Sequence, residues 1–390
     1  MEGNCLKYFT CALVIVAALS SCEPKESVSG DEDIQKIKSA SLERFDSVSI
    51  DFLGNPIIHD LDPVSQTVIF SDFKENHTSL FIANFEGGIL SSFSKEGDMP
   101  DSYGSMYSNA KLLIDSTFLI YGGHGFLVYD YMGKNVSKID HDLHLNYFEI
   151  GMGRGMEAVG DKFLYWNSSR PSMRHNDLRF YDEAYLLAWI DPETGKGEPI
   201  IKFPESSLFR SGKYFARDSW SPVFTTSGEL IHVAFGIEPV IYNYQSTPPY
   251  SLLATIPLEL PDYQYFNGVD SYQTNLEWLW SDYGRITNIK KLEDHFLVTY
   301  YPGYNTYDRE VSASNLSPKE RKAFIARMSE KYNNRIVVLD SMGTFLAEIH
   351  PGNLRPSTSI ERNGELWMME YDPEIERDFF RLFRVGLKLE

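Results

Sequence analysis

A strand–turn–strand phrase recurs along this chain and constrains its fold more than any other feature. In 126–139, FLVYDYMGKNVSKI, an apolar run closes on Asp130, a turn containing glycine follows, and a second run leads away. The segments 80–93 (LFIANFEGGILSSF), 187–201 (LAWIDPETGKGEPII) and 336–349 (IVVLDSMGTFLAEI) repeat it, and 239–256 (PVIYNYQSTPPYSLLATI) is a looser copy. One hairpin returning at comparable intervals is the mark of a repeat architecture. Around each copy, two further apolar runs complete a unit of four strands. Five such units fall at 57–94, 110–139, 156–203, 222–256 and 286–349, and a sixth, 358–385, has only three strands.

Before the first unit lies 41–52, SLERFDSVSIDF, in which Leu42, Phe45, Val48, Ile50 and Phe52 give a partial period of two. This strand supplies what the sixth unit lacks. Pairing the two chain ends closes a ring and covers two sheet edges that would otherwise template aggregation. The expected fold is an all-β, six-bladed propeller with four-stranded blades. The alternatives are a two-domain β protein or a seven-bladed ring, with the extra blade hidden between Asn243 and Asp340. An insertion fits that interval better, because SPKERKAFIARMSEKYN (317–333) reads as a helix. Ser317 is its N-cap, Pro318 its first residue and Glu320 the partner in a capping box. Ile325, Met328 and Tyr332 are expected on its apolar face.

All three cysteines, Cys5, Cys11 and Cys22, lie in the first 22 residues. Lys7 precedes an apolar run, 8–19, that is too short for a permanent membrane span and reads as a secretory signal. Leu19-Ser20-Ser21-Cys22 resembles the lipobox of bacterial lipoproteins, which implies lipidation at Cys22. The expected organisation is a signal peptide (1–21), a tether (22–40) and a propeller (41–390), held by lipid in the cell envelope. The mature chain would then have no thiol for a disulfide, a zinc site or a nucleophile.

Within a blade, successive connections lie at alternate ends. The first-to-second and third-to-fourth connections are short turns. The long ones, 95–109, 141–155, 167–183, 205–221, 257–285 and 302–334, share the other end. Long loops on a rigid scaffold commonly carry function. These loops hold Arg154, Arg170, Arg217, Trp220, Trp278, Trp280 and Tyr304, residue types that contact surfaces favour. They are the expected ligand-binding residues, for a glycan, peptide or protein. The competing expectation is that the aromatic rings form the loops' own core. A net charge of −19 argues against nucleic acid, which needs a basic stripe. The protein is expected to be monomeric.

No Walker loop or G-x-S-x-G elbow occurs. Gly151-Met152-Gly153-Arg154-Gly155 reads as an inter-blade loop with Arg154 as an anion contact. The histidines of His141-Asp142-Leu143-His144 read as solvated rather than metal-binding, and no resident cofactor is expected. A propeller hydrolase or lactonase with a divalent cation, such as calcium, in the central channel is the alternative function. Lys95, Glu96, Gly97, Pro100 and Gly104 match an E-G-x-x-P-x-x-x-G type of segment. With the lipobox and the blade count, the chain resembles the uncharacterised six-bladed, NHL-like propeller lipoproteins of Bacteroidetes. That resemblance implies an envelope location and no particular reaction.

Overall fold

The computed structural model describes residues 39–74, 77–140, 151–167, 176–272, 282–371 and 377–390. Six sheets of four antiparallel strands form the blades of a β-propeller. Blade one is Ile57–Asp62, Thr67–Lys74, His77–Asn84 and Ile89–Phe93, and blade two is Lys111–Leu112, Thr117–Gly122, Gly125–Asp130 and Asn135–Ile139. Blade three is Met156–Val159, Lys162–Trp166, Tyr185–Ile190 and Gly197–Lys202, and blade four is Pro222–Ser227, Leu230–Phe235, Val240–Gln245 and Leu252–Pro257. Blade five is Arg285–Leu292, His295–Tyr301, Arg335–Leu339 and Phe345–Ile349. Blade six is Leu354–Arg362, Glu365–Glu370 and Phe379–Leu389, completed by the N-terminal strand Ala40–Asp51. The signal, the lipobox Cys22 and the tether up to residue 38 lie outside the described residues.

Burial explains the strand sequences. Middle strands are covered on both faces by neighbouring blades and read as continuous apolar runs, as in Leu230–Phe235, where only Leu230 is partly exposed. Outer strands such as Asn135–Ile139 alternate between partly covered and exposed. A hydrophobic cluster fills each junction between blades; Phe70, Val68, Trp367 and Leu382, for example, join blades one and six.

The closure runs in register from Ala40↔Leu389 to Asp51↔Phe379, with a bulge at Phe45. That bulge turns Phe45 outward, 58 % exposed beside Gly386, whereas Val48 and Ile50 are buried. The anchors of this strand are therefore Val48 and Ile50. Phe45, expected to point inward, loses that place because an extra residue re-aims the side chain.

The recurring hairpin has one local cause. Its aspartate folds back on the turn: Asp130 Oδ1 accepts from the N–H groups of Met132 and Lys134, each at 2.9 Å. Asp340 Oδ1 does the same for Met342 (2.9 Å) and Thr344 (2.8 Å), and Asp191 Oδ1 for Glu193 (2.8 Å) and Thr194 (3.2 Å). The turn glycine then lies against the preceding blade. Gly195 has φ +71°, and a Cβ there would come 2.0 Å from the Asp140 carbonyl oxygen; Gly343, at φ +87°, would meet Ile256 at the same distance.

Between the second and third strands of blade five lie two helices, α1 (Thr306–Ala313) and α2 (Pro318–Lys331). The expected capping box is present: Ser317 Oγ accepts from Glu320 N–H, and Glu320 Oε2 from Ser317 N–H at 2.9 Å. Met328 is buried and Tyr332 packs beside it as expected, while Ile325 is 57 % exposed and Phe324 takes its place on the inward stripe. The shorter α1 starts at Asn305, whose side chain accepts from Asp308 N–H at 2.9 Å. Asp308 ties the pair together by accepting from Tyr332 Oη (2.6 Å) and Lys331 Nζ (2.5 Å). No helix among the described residues is long and apolar enough to cross a membrane.

Candidate functional site: the mouth of the central channel

The first strand of each blade is a sheet edge, so some backbone N–H and C=O groups on it and beside it have no partner in the ladder. Buried side chains fill that role. Asp60 accepts from Leu61 N–H and, across the blade junction, from Leu112 N–H, both at 3.0 Å. His59 Nδ1 accepts from Ala110 N–H at 3.3 Å. Arg362 donates to the Leu112 carbonyl at 3.0 Å and lies 3.5 Å from Asp60. Asn288 reaches the Ser357 and Ser359 carbonyls at 3.3 and 3.2 Å. Asn109 clamps the glycine-rich loop, donating to the Gly151 and Arg154 carbonyls at 2.6 and 2.8 Å.

Above these stitches a cavity of about 640 Å³ opens. Gly153–Gly155, Ser221, Arg285, Tyr301, Tyr304 and the α2 residues Ile325, Met328 and Ser329 line it toward the long-loop end, with Tyr332 just past α2. Farther along the first strands it is lined by Lys111, Glu157, Lys290, Glu361 and Arg362. Among the described residues that line it, five basic side chains (Lys111, Arg154, Arg285, Lys290 and Arg362) thus face two acidic ones, Glu157 and Glu361, in a protein of net charge −19. Burial holds the Lys111 and Lys290 ammonium groups below the ordinary lysine value, against the pull of Asp60 on the first and Glu157 on the second. Burial likewise pushes the Glu157 carboxyl up, against the pull of Lys290 and Lys111.

The expected binding residues scatter. Arg154 and Tyr304 do line the mouth. Tyr304 also packs on Phe324 of α2, with ring centres 5.9 Å apart, and is 8 % exposed. Trp220 does not belong to a contact surface. It is 2 % exposed in the core between blades three and four, its ring centre 4.9 Å from that of Phe180, and presents no face to a ligand. The long loop has folded down over it, as loops do when their aromatics have apolar surface to cover. Arg217 is exposed, lies 3.5 Å from Asp218 and does not line the cavity. Arg170, Trp278 and Trp280 lie outside the described residues, as do His141 and His144.

Sequence reasoning passed over Lys111, Glu157 and Lys290. Their signal was a charged residue inside the first strand of an all-β unit, in KLL, MEAV and ITNIKKL. The matched 95–104 segment is a tie between blades one and two. Glu96 Oε2 accepts from Thr78 N–H at 3.0 Å, Lys95 pairs with Asp101, and the Lys95 carbonyl accepts from Tyr103 N–H at 3.0 Å.

Two other constellations have less to offer. Ser227 Oγ lies 2.7 Å from His232 Nε2, and His232 Nδ1 2.8 Å from Asn243 Oδ1, distances suited to a nucleophile, a base and an orienting group. Ser227 and Asn243 do not line the cavity, and the pair serves to satisfy a buried imidazole at the short-turn end. Among the described residues no cluster of three or more His, Cys, Asp or Glu side chains has the arrangement of a metal site.

No family model matches the sequence, and no curated protein matches it. Solved structures do share its fold. A DUF4221 family member from Bacteroides vulgatus superposes with a TM-score of 0.60 at 10 % identity, covering 91 % of this chain and 100 % of that one. A Bacteroides fragilis protein, assigned by inference as exported, gives 0.51 at 11 % identity, covering 89 % and 95 %. At such identities the likeness is one of fold alone. The chain is accordingly similar in fold to these propeller-like Bacteroides proteins.

Proposed function

We propose that the protein is a cell-envelope binding propeller that takes a small acidic ligand, an acidic glycan fragment or acidic peptide end, in the channel mouth on its long-loop side. The observation that carries this reading is the excess of five basic over two acidic side chains among the described residues around one cavity in a strongly acidic protein. Its size suits one or two sugar rings. Guanidinium groups at Arg154 and Arg285 suit carboxylates, and Tyr301 and Tyr304 offer ring surface beside them. The exported relative in fold and the lipobox around Cys22 support an anchored, extracytoplasmic location. The metal-dependent hydrolase has no comparable support, since the same basic groups oppose a divalent cation.

Thermal shift of the full-length protein tests the reading with oligogalacturonate, oligoglutamate and neutral dextran. The acidic oligomers should raise the melting temperature, and added salt should erode the effect. A shift with dextran alone would contradict the proposal. Labelling with a fatty acid tests the anchor: Cys22→Ala should abolish incorporation, and equal labelling of the variant removes the anchor from the account.

A further inference from the structure

Resting on the reading above, we propose that the mouth selects an acid that also carries a neighbouring hydroxyl donor, a sugar acid or hydroxy acid. Its carboxylate lies on Lys111 and Lys290, and its hydroxyl donates to Glu157.

The argument is one of unmet hydrogen bonds. Lys111 is 3 % exposed, lines the cavity, and its ammonium makes no hydrogen bond among the described residues. Lys290 is 5 % exposed and donates once, to the Gly153 carbonyl at 3.0 Å. Glu157 Oε1 accepts a long bond from Thr225 Oγ1, at 3.4 Å, and Oε2 is buried without a partner. Opposite charges line one space, and no ion pair closes between Glu157 and either lysine. Charges taken from water and left unpaired are costly, so a ligand that bridges them is favoured strongly.

The bridge must match both signs. A bare carboxylate or inorganic phosphate satisfies the lysines and is repelled by Glu157. A neutral sugar satisfies Glu157 and leaves two ammonium groups without acceptors. A hydroxy acid meets all three groups with one acceptor head and one adjacent donor. Two other charged groups nearby are already engaged: Glu361 accepts from Gly364 N–H at 2.6 Å, and Arg362 serves Asp60 and the Leu112 carbonyl.

Calorimetric titration of the full-length chain with D-glucuronate, D-glucose, propionate and glycine tests this. Glucuronate should bind at least about tenfold more tightly than each of the other three. Lys111→Met and Lys290→Met should each weaken it by about tenfold or more, and Lys111→Arg should retain most of the affinity. Glu157→Gln keeps an acceptor for a hydroxyl, so glucuronate should stay within about threefold of wild type. Equal binding of propionate and glucuronate would overturn the donor requirement while leaving the anion-binding reading intact. Tightest binding by glycine, lost in Glu157→Gln, would replace the hydroxyl by an ammonium and overturn the proposal. Water filling the site, with none of the four probes binding, would overturn it as well, and the acidic-oligomer shifts then decide separately whether the mouth binds anions at all.

Discussion

Third-to-fourth-strand hairpins recur in blades one to five and first strands in all six, yet the two vary in opposite ways. In blades two, three and five the hairpin keeps the same device, an aspartate folded onto its turn at Asp130, Asp191 and Asp340. The first strands instead vary their polar group from blade to blade, with only lysine used twice: Asp60, Lys111, Glu157, Thr225, Lys290 and Arg362. Scaffold chemistry repeats because each blade solves the same packing problem. Site chemistry cannot repeat, because six equal charges around one axis would repel.

The largest effect expected belongs to the scaffold. Ile50 is fully buried in the strand that closes the ring, so Ile50→Asp should cost about 4 kcal/mol or more, through lost burial and an unpaired buried charge. A urea melt measures it, and Phe45→Asp beside it should cost under about 1 kcal/mol, because Phe45 sits outward on its bulge. Similar losses from the two would break the assignment of the bulge.

Acid should act next, on the channel side. Burial, aided by Lys111, lowers His59 from 6.5 to about 3, against its bond to Asn109. The unfolded chain therefore takes up this proton first as the pH falls. The stability from neutral His59 is intact above 6.5 and is lost as the pH drops toward about 3, by at most about 5 kcal/mol in all. Melts of wild type and His59→Leu across that window should converge at low pH; parallel curves would remove His59 from the acid response.

A hairpin glycine comes third. Gly195→Ala forces a Cβ against the Asp140 carbonyl at a positive φ, with an expected cost of about 2–3 kcal/mol. A neutral outcome would show that the hairpin is free to move away from its neighbour. Smallest of all is Arg217→Ala, on an exposed loop outside the cavity: within about 0.5 kcal/mol in stability and no change in anion binding. A clear loss of binding would move the site from the channel mouth to the outer loops.

The same contrast explains what could be read in advance. The hairpin phrase, the three-stranded last unit and the capping box at Ser317 rest on local chemistry, and from them followed the ring, its closure by a strand expected at 41–52 and found at Ala40–Asp51, and the insertion helix. Phe45 was misplaced because a bulge is fixed by the partner strand. Trp220 was misassigned because loop length and residue type do not tell whether a ring faces out or packs down onto Phe180. Lys111, Glu157 and Lys290 were passed over because they are far apart in sequence. Only the closing of the ring makes them neighbours, and a strand pattern treats each as an isolated polar interruption.

Hydrogen exchange on the full-length protein, with and without glucuronate, tests the central claim most directly. The account predicts added protection confined to the cavity lining, in 110–112, 151–158, 288–291, 301–305 and 332–335, with the turns at 131–134, 192–196 and 341–344 unchanged. Protection at those turns instead, or on the loop around Arg217 with none at the mouth, would contradict it.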